Sequence, residues 1–446
     1  MTTANTSGAT NRIMKEIAQI QRGEDLSLAV AFRDQDVRHV RALIIGPPET
    51  PYEFGMFEFD VKFGKEYPIK SPNVRAVTTN SSRTRFNPNI YNEGKVCLSI
   101  LGTWRGNPGE EWSSAQGLES VLLSIQSLMS QNPYENEPGH EQSKIHEVQP
   151  TAYVAKITHE TMRIAVCNRL EGLLGIKEER AATPSVHEYD AEATYKALDS
   201  THWDPFADLL KRRFLWYYDT YMQTVERESK LHKQNEAFQR MDFEYPPNSM
   251  EGKFDYKSLH ARLTRIRETL EEEQRSWAKA GAKQVADSTQ LAVQLAFQFG
   301  QLEHKWNNST YDSSRMEISL PDKQNPFVWK LTLFGKPMTN LDGGIFNMTL
   351  YIPPNFPDIQ PRLKIETPIF HHRVSMNGAL CYFPEKEEEV ASHLEAIVRA
   401  IEDEDPKYDP RSMMNPEAFA LRWGGDDKKK VYTRKLRRSA QDSCEY

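Results

Sequence analysis

The apolar positions change period along the chain, and each change marks an element. In residues 11 to 22, "NRIMKEIAQIQR", Ile13, Ile17 and Ile20 stand four and three apart, the spacing of one helical face. The polar stretch before them, residues 1 to 10, predicts a flexible start. From about 28 to 78 apolar and polar residues alternate and break at turn-forming clusters, which predicts an antiparallel meander. Leu118, Leu122, Ile125 and Met129 return to helical spacing and stop before Pro133, and a further helix is expected near 153 to 171.

Beyond residue 172 helical stripes take over. Asp204 is the expected N-cap, with Pro205 in the first turn, of a helix carrying Phe206, Leu210, Phe214, Tyr218 and Met222 on one face. Leu259, Leu263, Ile266 and Leu270 form a second stripe; Leu291, Leu295, Phe299 and Leu302 form a third. Such stripes read as packing faces, with a partner groove as the alternative. "RAATPSVHEYDAE" and "FEYPPNSMEGK" read as connecting loops.

Strand patterning then returns as a repeat. Residues 46 to 74 set over 335 to 363 without a gap pair Gly46, Pro48, Thr50, Gly55, Phe57, Pro68 and Pro72 with Gly335, Pro337, Thr339, Gly344, Phe346, Pro357 and Pro361. After a five-residue shortening, Phe86, Gly94 and Cys97 fall on Phe370, Gly378 and Cys381. Turn glycines and strand aromatics matching at constant register indicate two copies of one unit. The organisation expected is a first domain over 11 to 171, a helical extension over 172 to 304 and a second copy over 305 to 446.

Composition narrows the function classes. The chain has 446 residues, 27% of them charged, and a formal net charge of -7, so no global basic field points to nucleic acid or an anionic membrane. No run of about 18 apolar residues or secretory leader is visible, which predicts a cytoplasmic or nuclear protein. The four cysteines, Cys97, Cys167, Cys381 and Cys444, are scattered without a Cys-x-x-Cys pair, so no structural zinc is expected, at His371, His372 and Cys381 included. Cys167 on its helix reads as a core thiol and Cys444 as an exposed one. Lys428 to Arg438, "KKKVYTRKLRR", reads as a solvated helix face, with a nuclear import patch or a contact for an acidic partner as the alternatives.

"RFNPNIYNEGKVCLSILGTW" places Asn89 eight residues before Cys97. With "YPIKSPNV", "SVLLSIQSLMSQNPYENEPG" and "FDYKSLHARLTRIR" in order, this resembles the ubiquitin-conjugating (UBC) enzymes, most closely their large Z-type branch, which is related to the UBC domain of the inhibitor-of-apoptosis protein BRUCE. The resemblance implies an α+β fold, two UBC units in tandem joined by the helical insert. It also implies a thioester carrier that accepts ubiquitin or a ubiquitin-like modifier from an activating enzyme on Cys97 and passes it to a substrate lysine, directly or with a ligase. The chemistry suits the residues: a thiolate leaving group preserves acyl reactivity, and the Asn89 amide can donate to the oxyanion formed under amine attack.

Further roles rest on the resemblance alone. Ile69, Ser114 and Ala115 match the loops that meet ligases; Leu123 and Ser127 match positions that hold the donor ubiquitin; Arg12, Lys15 and Arg22 match the surface that meets the activating enzyme. No phosphate-binding loop of the Walker type is present, so ATP is expected to be used upstream and no cofactor here. The family's first motif residue, His, is Asn87. The segment between Cys97 and Trp112 is lengthened, and Glu135, Asn136 and Glu137 all compete for the lysine-activating position. In the second copy Arg373 stands where Asn89 does, so Cys381 is expected to be inactive and its domain a scaffold. Two other readings compete: a non-catalytic adaptor binding ubiquitin or ligases, and a dual carrier that also charges Cys381.

Overall fold

The computed structural model describes residues 3–23, 25–106, 109–176, 203–246, 250–307 and 316–445. The loop expected at "RAATPSVHEYDAE" lies outside them, as does part of "FEYPPNSMEGK". The chain forms two compact units, Met1–Leu210 with Val225–Arg262, and Lys211–Thr224 with Leu263–Tyr446.

In the first unit α1 (Thr3–Arg22) precedes an antiparallel sheet of β1 (Leu28–Arg33), β2 (Asp36–Ile45), β3 (Met56–Lys62) and β4 (Asn73–Ala76), in that order. The helix starts earlier than the isoleucine stripe, so the segment read as flexible is helical from Thr3; Ala9 is buried and extends the packing face. Ile13, Ile17 and Ile20 join Val40, Ala42, Phe57, Phe59 and Val61 in one core with α2 (Leu118–Ser127) and α3 (Val148–Glu160). A π-helical stretch, Thr161–Asn168, continues α3 into α4 (Arg169–Leu174).

The second unit repeats the plan: β5 (Met316–Ser319), β6 (Val328–Phe334), β7 (Ile345–Tyr351) and β8 (Arg362–Ile365), again antiparallel and in order. Ile45 pairs Met56 in one sheet and Phe334 pairs Ile345 in the other, so the repeat register found in the sequence is also the ladder register. The turn glycines have a steric reason. A Cβ on Gly46 would lie 1.8 Å from the Tyr52 carbonyl oxygen, and one on Gly335 would lie 1.7 Å from that of Leu341.

The expected helical extension does not stand as a separate layer. It contains α5 (Ala207–Ser229), α6 (Tyr256–Ala286) and α7 (Gln290–Asn307), but its residues are divided between the two cores. Met241, Phe243 and Met250, from the non-helical chain after α5, close the first core. Burying each is worth about 2 kcal/mol. In the second unit α7 takes the place of α1: Leu295, Phe299 and Leu302 pack on the second sheet, with Phe299 edge-on to Trp329 at 5.0 Å. The second copy therefore begins near 290 rather than 305. An apolar stripe reveals that a helix packs, not which core receives it. α8 (Val390–Glu402), α9 (Pro416–Arg422) and α10 (Asp426–Asp442) complete the unit, and the basic run forms the exposed side of α10, whose Tyr432, Leu436 and Ala440 are buried. No helix of the described residues is long and apolar enough to cross a membrane.

Candidate active site

The site is built on a tight turn between β4 and α2. Asn87 is fully buried and acts as its keystone: its amide donates to Leu128 O (2.8 Å) and the Tyr52 hydroxyl (3.0 Å), and its oxygen accepts from Asn89 N (2.9 Å). The Tyr52 hydroxyl donates onward to Phe86 O (2.6 Å). Each of these hydrogen bonds satisfies a group that could not otherwise be buried. An amide in this place needs no base chemistry.

From that turn the Cys97 N–H donates to Asn89 O (2.8 Å) and the Asn89 side-chain amide donates to Cys97 O (3.1 Å), so the two residues are clasped. Gly94, at φ +94°, makes the intervening turn; a Cβ there would meet Ala76 O at 2.5 Å. After the cysteine, Thr103 Oγ1 donates to Val96 O (2.6 Å) and accepts from Leu98 N (3.0 Å), fixing the start of the lengthened loop. Trp104, in that loop, is exposed; residues 107 and 108 lie outside the described set.

Cys97 is 3% exposed, and the half-buried Tyr91 is close enough to feel its sulfur. Burial, then the neighbouring sulfur, raises the Tyr91 pKa. The Arg85 guanidinium stands 4.7 Å from the Tyr91 ring centre and reaches Glu137 at 3.2 Å. Desolvation raises the Glu137 carboxyl, with Arg85 and His140 acting against it. Of the three residues competing for the lysine-activating position, Asn136 and Glu137 separate here. Asn136 is spent on Leu128 O (2.9 Å) and Asn87 Oδ1 (3.4 Å), whereas Glu137 faces Arg85 and Tyr91.

The outlying positions are placed as follows. Ile69, at 77% exposure, Ser114 and Ala115 lie at the surface of two loops joined by Trp112, whose indole N–H donates to Pro68 O (2.9 Å). Leu123 and Ser127 share the exposed side of α2. Lys15 and Arg22 are exposed on α1, but Arg12 is a strut: it bonds Glu16 (2.8 Å) and Gln116 O (2.7 Å). Glu16, which carried no sequence signal, also accepts from the Tyr67 hydroxyl (2.5 Å) and from Leu118 N (3.0 Å), where a carboxylate complements the start of α2.

The second unit keeps the frame and changes the contents. Cys381 N–H donates to Arg373 O (3.0 Å), and Arg373 N donates to His371 Nδ1 (3.1 Å), repeating the bonds around Cys97 and Asn87. The Arg373 guanidinium has no such clasp and stands 3.9 Å from Asp403. Within this unit α5 lies over the turn: the Asp219 carboxylate accepts from Met376 N (2.7 Å), Trp216 meets Phe383 edge-on at 5.5 Å, and the Tyr217 hydroxyl donates to Arg411 O (2.8 Å). Cys381 is fully buried near Tyr217 and Arg213, and desolvation pushes its thiol up to about 12. Cys167 is likewise buried and pushed up to about 12, and Cys444 is exposed. Among the described residues no group of His, Cys, Asp or Glu is arranged to hold a metal ion.

A helix, a four-stranded meander and a cysteine clasped to the asparagine of the preceding turn together define the ubiquitin-conjugating fold. A family model described as ubiquitin-conjugating enzyme matches residues 12–161 and again 301–430, and the chain belongs to that family. It is 40% identical over 261 residues to ubiquitin-conjugating enzyme E2 Z of Danio rerio, covering 58% of this chain and 68% of that protein. The Homo sapiens E2 Z is 39% identical over 259 residues, 58% of this chain and 63% of that one. The human dual E2 ubiquitin-conjugating enzyme/E3 ubiquitin-protein ligase BIRC6 is 42% identical over 147 residues, 32% of this chain and 3% of BIRC6.

Proposed function

We propose that the first unit is a working conjugating enzyme that takes ubiquitin or a ubiquitin-like modifier from an activating enzyme as a thioester on Cys97 and passes it to a lysine, directly or with a ligase. ATP is spent by the activating enzyme, and this chain needs no cofactor of its own. The observation that carries the reading is the clasp between Asn89 and Cys97. The Asn89 amide nitrogen has two protons: one holds Cys97 O, and the other donates to the oxyanion. Glu137 receives the proton that the attacking ammonium must lose.

Ile69, Ser114 and Ala115 then form a ligase-facing patch, Leu123 and Ser127 steady the donor modifier, and Lys15 and Arg22 face the activating enzyme. Arg12 contributes to that surface chiefly by holding α1 in place. Cys381 is inert, and its unit serves as a scaffold or binding surface.

The test is a loading assay with ATP, activating enzymes and ubiquitin or related modifiers, on the wild type, Cys97→Ala and Cys381→Ala. A reductant-sensitive adduct lost only with Cys97→Ala is expected. An adduct persisting at Cys381 in Cys97→Ala would make the chain a dual carrier, and no adduct with any activating enzyme would leave it an adaptor.

A further inference from the structure

Arg85 belongs to the site without touching the sulfur. It is 7% exposed, a costly place for a guanidinium. Its Nη2 donates to Pro88 O (2.5 Å) and pairs with Glu137 (3.2 Å). Its guanidinium stands over two rings, Tyr91 at 4.7 Å and Phe243 at 5.8 Å. Its Nε is buried and makes no hydrogen bond, so the side chain is not held there by complete satisfaction of its own donors. Packing alone does not require a charge, because an apolar chain would fill the space against two rings more cheaply.

We propose that Arg85 is a positioning residue for lysine attack: from one buried guanidinium it fixes the turn at Pro88, packs on the Tyr91 ring beside Cys97, and holds the Glu137 carboxylate by an ion pair in place for the incoming amine. The inference rests on the thioester reading above. In the step it serves, the lysine nitrogen forms a bond to the thioester carbon, the carbon–sulfur bond breaks, and Cys97 leaves as thiolate. The proton shed by the amine passes to Glu137 and then to water.

The charged and titratable groups around Glu137 are Arg85 and His140, which favour its ionised form, and Tyr91, Tyr134 and Tyr153, which are neutral at working pH. Lys95, 5.7 Å from the Tyr91 ring, is the further cation on that side. Removing Arg85 takes away the ion-pair partner of the desolvated carboxylate and leaves His140 beside it. Its protonation then moves to higher pH, and the acidic limb of the lysine-transfer rate moves with it.

The experiment is single-turnover transfer from preloaded Cys97 to free lysine across pH, for the full chain as wild type, Arg85→Met, Arg85→Lys and Glu137→Gln. Arg85→Met is expected to shift the acidic limb upward by about one pH unit, so that transfer falls about tenfold on that limb and recovers toward alkaline pH. Arg85→Lys, which keeps the charge and loses the fork, should retain the wild-type midpoint at a lower rate. Glu137→Gln should abolish the limb. A uniform loss in Arg85→Met at every pH, or a midpoint unmoved, overturns the proposal. If Arg85→Met does not fold, a shifted midpoint in Arg85→Lys overturns it equally. Wild type that never loads at Cys97 would instead refute the carrier reading, an outcome seen in the loading step before any lysine is added.

Discussion

Cys97 and Cys381 sit at the end of the same turn, each with its N–H on the carbonyl of the residue eight positions earlier, 2.8 Å in one unit and 3.0 Å in the other. Around one, a half-exposed tyrosine stands near the sulfur and an asparagine amide holds the backbone; around the other, Tyr217 and Arg213 of α5 lie near a fully buried thiol and the arginine of the turn faces Asp403. The contrast separates frame from contents. Backbone bonds and turn glycines are kept where the fold needs them, while the side chains around the two cysteines differ without loss of that frame. Asn87 and His371 show the division most clearly, since an amide and an imidazole do the same work of accepting from the N–H two residues on.

The strongest way to break this comparison is at the frame. Gly46→Ala and Gly335→Ala each force a Cβ into a carbonyl oxygen, and each should cost its own unit several kcal/mol, read as loss of that unit's cooperative urea transition. If only one does so, the two turns are not equivalent. Next comes the chemistry. Asn89→Ala should slow lysine transfer by about 3 kcal/mol, roughly a hundredfold, while Cys97 still loads, whereas Arg373→Asn should confer no loading on the sealed Cys381. Equal loss of loading and transfer in Asn89→Ala would make the clasp structural only.

The smallest effect sharpens the frame itself. Burial, with Arg373 and Arg422 nearby, lowers His371 to about 3, and His372 is lowered as well. The unfolded chain therefore takes up protons below about pH 6.5 that the native unit refuses, so the second unit is most stable above that pH and weakens as pH falls towards 3. His371→Asn, which copies Asn87, should remove on the order of 1 kcal/mol of that weakening at about pH 5, measured as the difference between urea melts there and at about pH 7.5. An unchanged difference would mean His371 is not the group responsible.

Much of this was legible in the sequence because periodicity and turn chemistry are local. The meander, the repeat register and the Asn89 to Cys97 spacing all follow from neighbours along the chain. What stayed hidden was set by distant partners. Arg85 reads as a surface cation until Glu137, 52 residues on, is placed beside it. Glu135 and Glu137 are the same residue type two positions apart, and only their surroundings tell them apart. Glu16 reads as one more polar position on α1, because its partners Tyr67 and Leu118 are 51 and 102 residues away. The stripe on α7 is legible as a packing face, but the core that receives it is not.

Phe243 and Met250 close the first core from a point well past Asn168, where the π-helical continuation of α3 ends. A chain trimmed at residue 171, the natural place to cut by motif, would leave an oily socket open beside Tyr134, Tyr153 and Arg85. The minimal enzyme is thus longer than its signature suggests, and a fragment ending there would be expected to clump or to misreport the activity of the whole.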